Sequence, residues 1–278
     1  MQQWHQLEFK IKEESYVLVE EYLFDNFAGS VTKISKANNL SLITVLYDNN
    51  CDIDTIKTNL ISAFKTSIFE NMTYKVIKNK QWESSWINDY KPVQIGNEIV
   101  VYPDWKEPPS DNKIYILVDP SIVFGCGNHE TTKMCLEWLE NNVTKNMDVL
   151  DYGCGTGILT IAAIKLGASY SEGVDIDPDS IKSSIKNAKT NNVLQMTNFS
   201  NKASNKEFDV IVANVFSNVI ISLVDTLLSR LKYNGKIILS GILEDQVKQV
   251  QEVFIKQGVI FTKPKQLGQW FLLDGVKK

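Results

Sequence analysis

The run Asp151-Tyr152-Gly153-Cys154-Gly155-Thr156-Gly157 sets a carboxylate just ahead of glycines spaced G-x-G-x-G. Glycine lets the backbone take positive φ and lets a ligand come close. Val149-Leu150 precede the run and Ile158-Leu159 follow it, so a buried strand enters the turn and a helix leaves it. In open α/β sheets such turns lie at the carboxyl ends of strands, where ligands bind. The spacing limits the choice of ligand. A dinucleotide fingerprint needs glycines at the first, third and sixth positions, and the sixth position here is Ile158. A P-loop needs Lys followed by Ser or Thr after its last glycine, and Ile158-Leu159 stand there instead. Asp151 suits a cationic amino acid moiety and sits badly beside a pyrophosphate, while Gly153 and Gly155 open the backbone to the ligand.

A second carboxylate comes from Gly173-Val174-Asp175-Ile176-Asp177-Pro178. Asp175, at the end of the next strand, can accept hydrogen bonds from both hydroxyls of a ribose. Such bonds to a charged group contribute about 1.5–3 kcal/mol each. Asp177 reads as the N-cap of a helix whose first residue is Pro178.

These groups need a scaffold, and from about Thr131 the pattern alternates helix with strand. Helices are expected over Thr131–Asn141, Gly157–Leu166, Pro178–Asn191, Val219–Leu231 and Asp245–Gln257. Strands are expected over Asp148–Asp151, Tyr170–Asp175, Phe208–Ala213 and Lys236–Ser240. Two last strands, near Val259–Thr262 and Trp270–Leu273, are expected as an antiparallel edge. This alternation predicts an α/β fold, a Rossmann-like parallel sheet with helices on both faces, over residues 122–278. Residues 1–80 read instead as a smaller α+β unit of β-α-β-β-α-β order, the ferredoxin-like arrangement. Its strands begin with the alternating Leu7, Phe9 and Ile11. Residues 81–121 read as a connector rich in aromatics and proline, with Trp82, Trp86, Tyr90 and Trp105, and short strands over Glu98–Tyr102 and Tyr115–Val118.

The whole chain is ordinary for a globular protein: 278 residues, 44% hydrophobic, 22% charged, net charge -4. An acidic balance argues against direct nucleic-acid recognition. The first residues carry no apolar core of a signal peptide, and no stretch is long enough to span a membrane, so a cytoplasmic protein is expected. Cys51, Cys126, Cys135 and Cys154 form no C-x-x-C pair, which predicts reduced thiols and no metal site.

The glycine run with Asp175 resembles the class I S-adenosylmethionine-dependent methyltransferases. Three more segments narrow the resemblance. Phe124-Gly125-Cys126-Gly127-Asn128-His129-Glu130-Thr131-Thr132 is similar to the F-G-T-G-x-H-P-T-T loop of ribosomal protein methyltransferases. Val212-Ala213-Asn214-Val215 resembles their V-A-N-I segment, and Leu239-Ser240-Gly241-Ile242-Leu243 their L-S-G-I-L strand. Trp105-Lys106-Glu107-Pro108-Pro109 matches the end of their connector. The family so resembled methylates large-subunit ribosomal protein eleven. The resemblance is strong over about Trp82 to Leu243 and loose before it. Cys126 stands in place of a threonine and Glu130 in place of a proline, both in the loop expected over the cofactor.

The resemblance implies S-adenosyl-L-methionine as cofactor and Thr132, Gly153, Asp175 and Asn214 as its contacts, with Asn214 also beside the transferring methyl. Phe124 either stacks on the adenine or fills the loop core. His129 is either a general base or a structural histidine, and the structural reading is preferred. The implied activity is a protein-lysine N-methyltransferase acting on that ribosomal protein, with an N-terminal amine as a further target. The front domain would grip the substrate, and a monomer is expected. The alternatives are lysine methylation of another protein and methylation of a small molecule.

Overall fold

The computed structural model describes residues 3–25, 30–35, 39–48, 51–64, 68–78, 92–118, 127 and 129–278. The chain divides into two compact units, Met1–Tyr90 and Lys91–Lys278.

The first unit runs β1 (Gln3–Lys12), α1 (Tyr16–Asp25), β2 (Ser30–Ser35), β3 (Leu40–Tyr47), α2 (Ile53–Phe64) and β4 (Glu70–Lys78). Its sheet order is β2-β3-β1-β4, antiparallel throughout, the ferredoxin-like order. The alternating Leu7, Phe9 and Ile11 of β1 meet Ile43, Val45 and Tyr47 of β3 on one face. Val19 and Leu23 of α1 and Leu60 of α2 close that core. Asn39, at φ 58°, makes the left-handed turn between β2 and β3.

The second unit begins with β5 (Val93–Ile95), β6 (Ile99–Pro103) and β7 (Ile114–Val118) in a three-stranded sheet. Residues 92–118, expected within a connector, are thus part of this unit, whereas Trp82, Trp86 and Tyr90 lie outside the described residues. The β5–β6 turn is bolted to α3 (Glu130–Asn142) by one carboxylate. Glu140 accepts from the backbone N–H groups of Asn97 (3.0 Å), Glu98 (2.6 Å) and Ile99 (3.1 Å). A Cβ on Gly96 would overlap Glu140 Oε2, so the turn takes glycine there.

After α3 come β8 (Asp148–Tyr152), α4 (Ile158–Lys165), β9 (Tyr170–Val174), α5 (Pro178–Thr190), β10 (Thr197–Ser200) and β11 (Phe208–Asn214). The chain continues through α6 (Ser217–Ser222), α7 (Val224–Arg230), β12 (Leu231–Leu243), α8 (Glu244–Ile255), β13 (Val259–Phe261), β14 (Lys265–Leu267) and β15 (Trp270–Lys277). The large sheet has the order β10-β9-β8-β11-β12-β15-β13, with β14 paired to β15. Strands β8 to β12 pair in parallel. Ile211, Val212 and Ala213 of β11 are buried, as expected of a parallel strand covered on both faces.

The two last strands form the antiparallel edge expected of them, with β15 paired to β12 and β13 outermost. Other expectations are corrected. The single helix expected over Val219–Leu231 is two, because Leu223 donates to both Val219 O (3.1 Å) and Ile220 O (3.2 Å) and tightens the chain. β12 is longer than expected at both ends, and β10 and β14 were not anticipated.

Candidate active site

The switch in strand order falls between β8 and β11, and the site residues gather at the carboxyl ends of β8, β9 and β11. Gly153, Gly155 and Gly157 have φ of 83°, 52° and 77°, so the turn is built from left-handed backbone that glycine adopts without strain. Gly153 and Cys154 donate their N–H groups to Val174 O at 2.7 and 3.0 Å, which ties the turn to the end of β9.

Asp175 follows directly. Its Oδ2 accepts from Gly155 N at 2.8 Å and its Oδ1 from Asp177 N at 3.0 Å. The two backbone donors hold the half-buried carboxylate still. A carboxylate has about four acceptor sites, so each oxygen keeps capacity for a ligand hydroxyl. Asp177 is the N-cap of α5, accepting from Asp179 N and Ser180 N. Between the two carboxylates Ile176 is 90% exposed, an apolar surface beside the expected ribose position. It was not anticipated from sequence, although its place between Asp175 and the capping Asp177 is visible there.

Asp151 is fully buried beneath the turn. Its Oδ2 accepts from Thr160 N (3.1 Å) and Thr160 Oγ1 (2.8 Å) of α4. Its Oδ1 is buried with no hydrogen-bond partner among the described residues. Burial pushes its pKa up to about 7, against the lowering effect of the two Thr160 bonds and with a further push from the charge of Asp175. An unpaired buried carboxylate oxygen is costly, and a cationic or N–H-bearing ligand group, directly or through one water, would relieve it. The donor set therefore fits a cofactor with an ammonium group and a ribose.

Thr132 is buried in the first turn of α3, and Asn214 ends β11. Asn214 Nδ2 donates to Thr132 Oγ1 at 3.4 Å. The structure thus joins Thr132 to Asn214, Gly155 to Asp175, and Gly153 to the last residue of β9. Phe124 lies outside the described residues.

His129 is the N-cap of α3. Its Nδ1 accepts from Thr131 N at 3.3 Å and lies 2.8 Å from Thr131 Oγ1. Its ring meets Trp270 edge-on at 5.3 Å between centroids. Burial lowers its pKa, against the raising effect of Glu130, which favours the neutral ring that an accepting cap needs. This is the structural role preferred from sequence. Cys51, Cys135 and Cys154 are free thiols, and burial raises the pKa of the last two.

Three further residues were not anticipated. Ser184 Oγ donates to Gly155 O (2.8 Å) and Asn187 Nδ2 to Thr156 O (2.9 Å), so α5 holds the glycine turn by its carbonyls. Asn191, just past α5, accepts from Leu117 N (2.9 Å) and donates to Leu117 O (2.6 Å) of β7.

Comparison with known proteins agrees with this geometry. The family model described as ribosomal protein L11 methyltransferase (PrmA) matches residues 4–278. The ribosomal protein L11 methyltransferase of Chromohalobacter salexigens is 33% identical over 244 residues, covering 85% of this chain and 82% of that protein. That of Acinetobacter baylyi is 35% identical over 247 residues, covering 85% and 81%. The crystal structure of a ribosomal protein L11 methylase from Lactobacillus delbrueckii subsp. bulgaricus aligns with a TM-score of 0.64 at 28% identity, covering 68% of this chain and 100% of that one. Sheet order, glycine turn and these matches together place the chain in the ribosomal protein L11 methyltransferase family, as an S-adenosylmethionine-dependent methyltransferase.

Proposed function

We propose that this enzyme methylates amino groups of ribosomal protein L11, lysine side chains first and an N-terminal amine as a further target, in the cytoplasm and as a monomer. The observation that carries the reading is the commitment of Asn214 Nδ2 to Thr132 Oγ1, which leaves the Asn214 carbonyl oxygen as an acceptor at the end of β11. Bound at this site, S-adenosylmethionine supplies an electrophilic methyl group on a sulfonium. Asp175 takes the ribose hydroxyls, and Gly153 and Gly155 let the backbone approach. Thr132, whose hydroxyl accepts from Asn214, keeps its own hydrogen for a carboxylate at the start of α3. Asp151 stands beneath as the counter-charge to an ammonium. Ile176 gives the adenine an apolar surface.

The protein's remaining task is to hold an uncharged amine with its lone pair aimed. A free lysine titrates near 10.4, so neutralising it near pH 7.4 costs about 4 kcal/mol. Partial burial of the amine offsets part of that. Asn214 Oδ1, accepting an amine hydrogen, orients the lone pair, and good orientation is worth about 7–11 kcal/mol in well-aligned reactions. No strong base is required. We assign substrate recognition to the front unit, residues 1–80, by its separate fold, and direct nucleic-acid recognition to neither unit.

The test uses intact-mass analysis of ribosomal protein L11 after incubation with enzyme and S-adenosylmethionine. A mass gain in whole methyl increments is expected, and an unmodified L11 under conditions where the cofactor binds would reject the substrate. Asn214→Ala should lower kcat by about 100-fold, far more than it weakens calorimetric affinity for S-adenosylhomocysteine. Equal loss of both would reject the role of Asn214.

A further inference from the structure

We propose that Val215 is a positioning residue that fixes Asn214 for methyl transfer, seated between two left-handed glycines, Gly153 and Gly241, from the strands on either side. The inference rests on the reading that Asn214 stands at the transfer point.

β11 lies between β8 and β12 in the sheet, and Val215 is the first residue beyond its end. From the β8 side comes Gly153 at φ 83°. A Cβ placed on it would overlap Val215 Cγ1. From the β12 side comes Gly241 at φ 85°, next after Ser240, the register partner of Asn214. A Cβ placed on Gly241 would lie 2.5 Å from Val215 O and 2.9 Å from its carbonyl carbon. One glycine therefore receives the Val215 side chain and the other receives its peptide group. Interiors this close-packed transmit displacement to the neighbouring residue.

The consequence falls on Asn214. Its side chain is held by Thr132 on one side, at 3.4 Å. The peptide group that follows Val215 is held by Gly241, and the Val215 side chain by Gly153, so residue 214 has little freedom to swing. Asp175 and Gly155 are bonded to each other and not to Val215, so the grip on the ribose does not depend on the seat of Val215, which meets the cofactor site at Gly153. The two glycines also differ in a testable way. A methyl group added at Gly153 collides with a side chain that can be shortened. A methyl group added at Gly241 collides with backbone that no substitution of Val215 removes.

The test measures kcat on ribosomal protein L11, affinity for S-adenosylhomocysteine and thermal unfolding for the full chain. The variants are Val215→Ala, Gly153→Ala, Gly241→Ala, the two doubles with Val215→Ala, and Asn214→Ala. Val215→Ala should lower kcat by about tenfold or more with cofactor affinity unchanged. Adding Val215→Ala to Gly153→Ala should recover kcat by at least about tenfold over Gly153→Ala alone. The recovery is partial, because alanine remains strained at that φ. Adding it to Gly241→Ala should recover nothing. The proposal is overturned if both doubles recover alike, if neither does, or if Val215→Ala weakens cofactor binding as much as it lowers kcat. Should either glycine variant fail to fold, Val215→Ala alone still decides, by its split between kcat and affinity. If Asn214→Ala leaves kcat intact, the reading of Asn214 itself fails. If Asn214→Ala abolishes turnover and the rescue pattern is absent, only the seat of Val215 fails.

Discussion

Two helices flank the glycine turn and hold it by opposite means. α4 buries Ile158, Leu159, Ile161, Ala162, Ala163 and Ile164, an almost wholly apolar helix. α5 buries Ser180, Ser183, Ser184 and Asn187, with Ala188 as its apolar member. Apolar burial is strong but non-directional: it keeps α4 under the sheet without caring how any peptide plane is turned. Hydrogen bonds are weaker in net terms but directional. Ser184 and Asn187 draw the carbonyls of Gly155 and Thr156 toward α5, while the Gly155 N–H goes to Asp175. The stability of the site is thus carried on one side and its orientation on the other.

Four measurements break or sharpen that contrast. The largest effect is expected on the apolar side: Ile161→Ala should cost about 2–5 kcal/mol in denaturant unfolding. Affinity of the folded variant for S-adenosylhomocysteine should not change, and a parallel loss of affinity would erase the distinction.

Next comes Asp151, the polar link of α4 to β8. Its pKa is 3.8 as the ordinary value and about 7 when buried, so the folded state holds its proton to higher pH than the unfolded state does. Stability therefore falls as pH rises from about 4 to about 7 and is level above that, a change of a few kcal/mol at most. Asp151→Asn keeps an acceptor for Thr160 and abolishes the titration. The Tm difference in favour of the variant should widen across that window; parallel curves would refute the cost assigned to the buried charge.

On the polar side, Asn187→Leu should cost about 1–3 kcal/mol by removing a buried bond to Thr156 O. Unlike Ile161→Ala, it should also weaken cofactor binding measured by calorimetry. Ser184→Ala should do the same more mildly, at about 1 kcal/mol. Full cofactor affinity in both variants would show that the carbonyl orientation does not matter.

Much of this was legible from residue order, and the rest has physical reasons for being hidden. The buried parallel strands β8 and β11 are legible as short apolar runs beside aspartate, whereas β9 carries Ser171 and Glu172 and is marked chiefly by Gly173-Val174-Asp175 at its end. β10 is not legible, since Phe199 is the one large apolar residue in Thr197–Ser200 and the strand owes its place to pairing with β9. The insertion of β15 between β12 and β13 is a matter of long-range pairing that no local pattern encodes. In the site, Asp175 and Asp177 were separable because a capping residue has a fixed place before Pro178. The contact of Thr132 with Asn214 joins positions 82 residues apart, and only the family resemblance pointed to both. Ser180, Ser184, Asn187 and Asn191 fall at helical spacing and could have been noticed as one stripe. A polar stripe ordinarily faces water, whereas here Ser184 and Asn187 face a turn with carbonyls to satisfy and Asn191 faces the edge of β7.

Asn191 has an effect on the surface as well as on the site. Its carboxamide occupies the N–H and the C=O of Leu117 on the side of β7 away from β6, as a neighbouring strand would. A strand edge left open is a template for another chain to add itself. A single side chain satisfies the same two groups yet offers no ladder to continue, so at this position the small sheet is closed to self-association without a further strand.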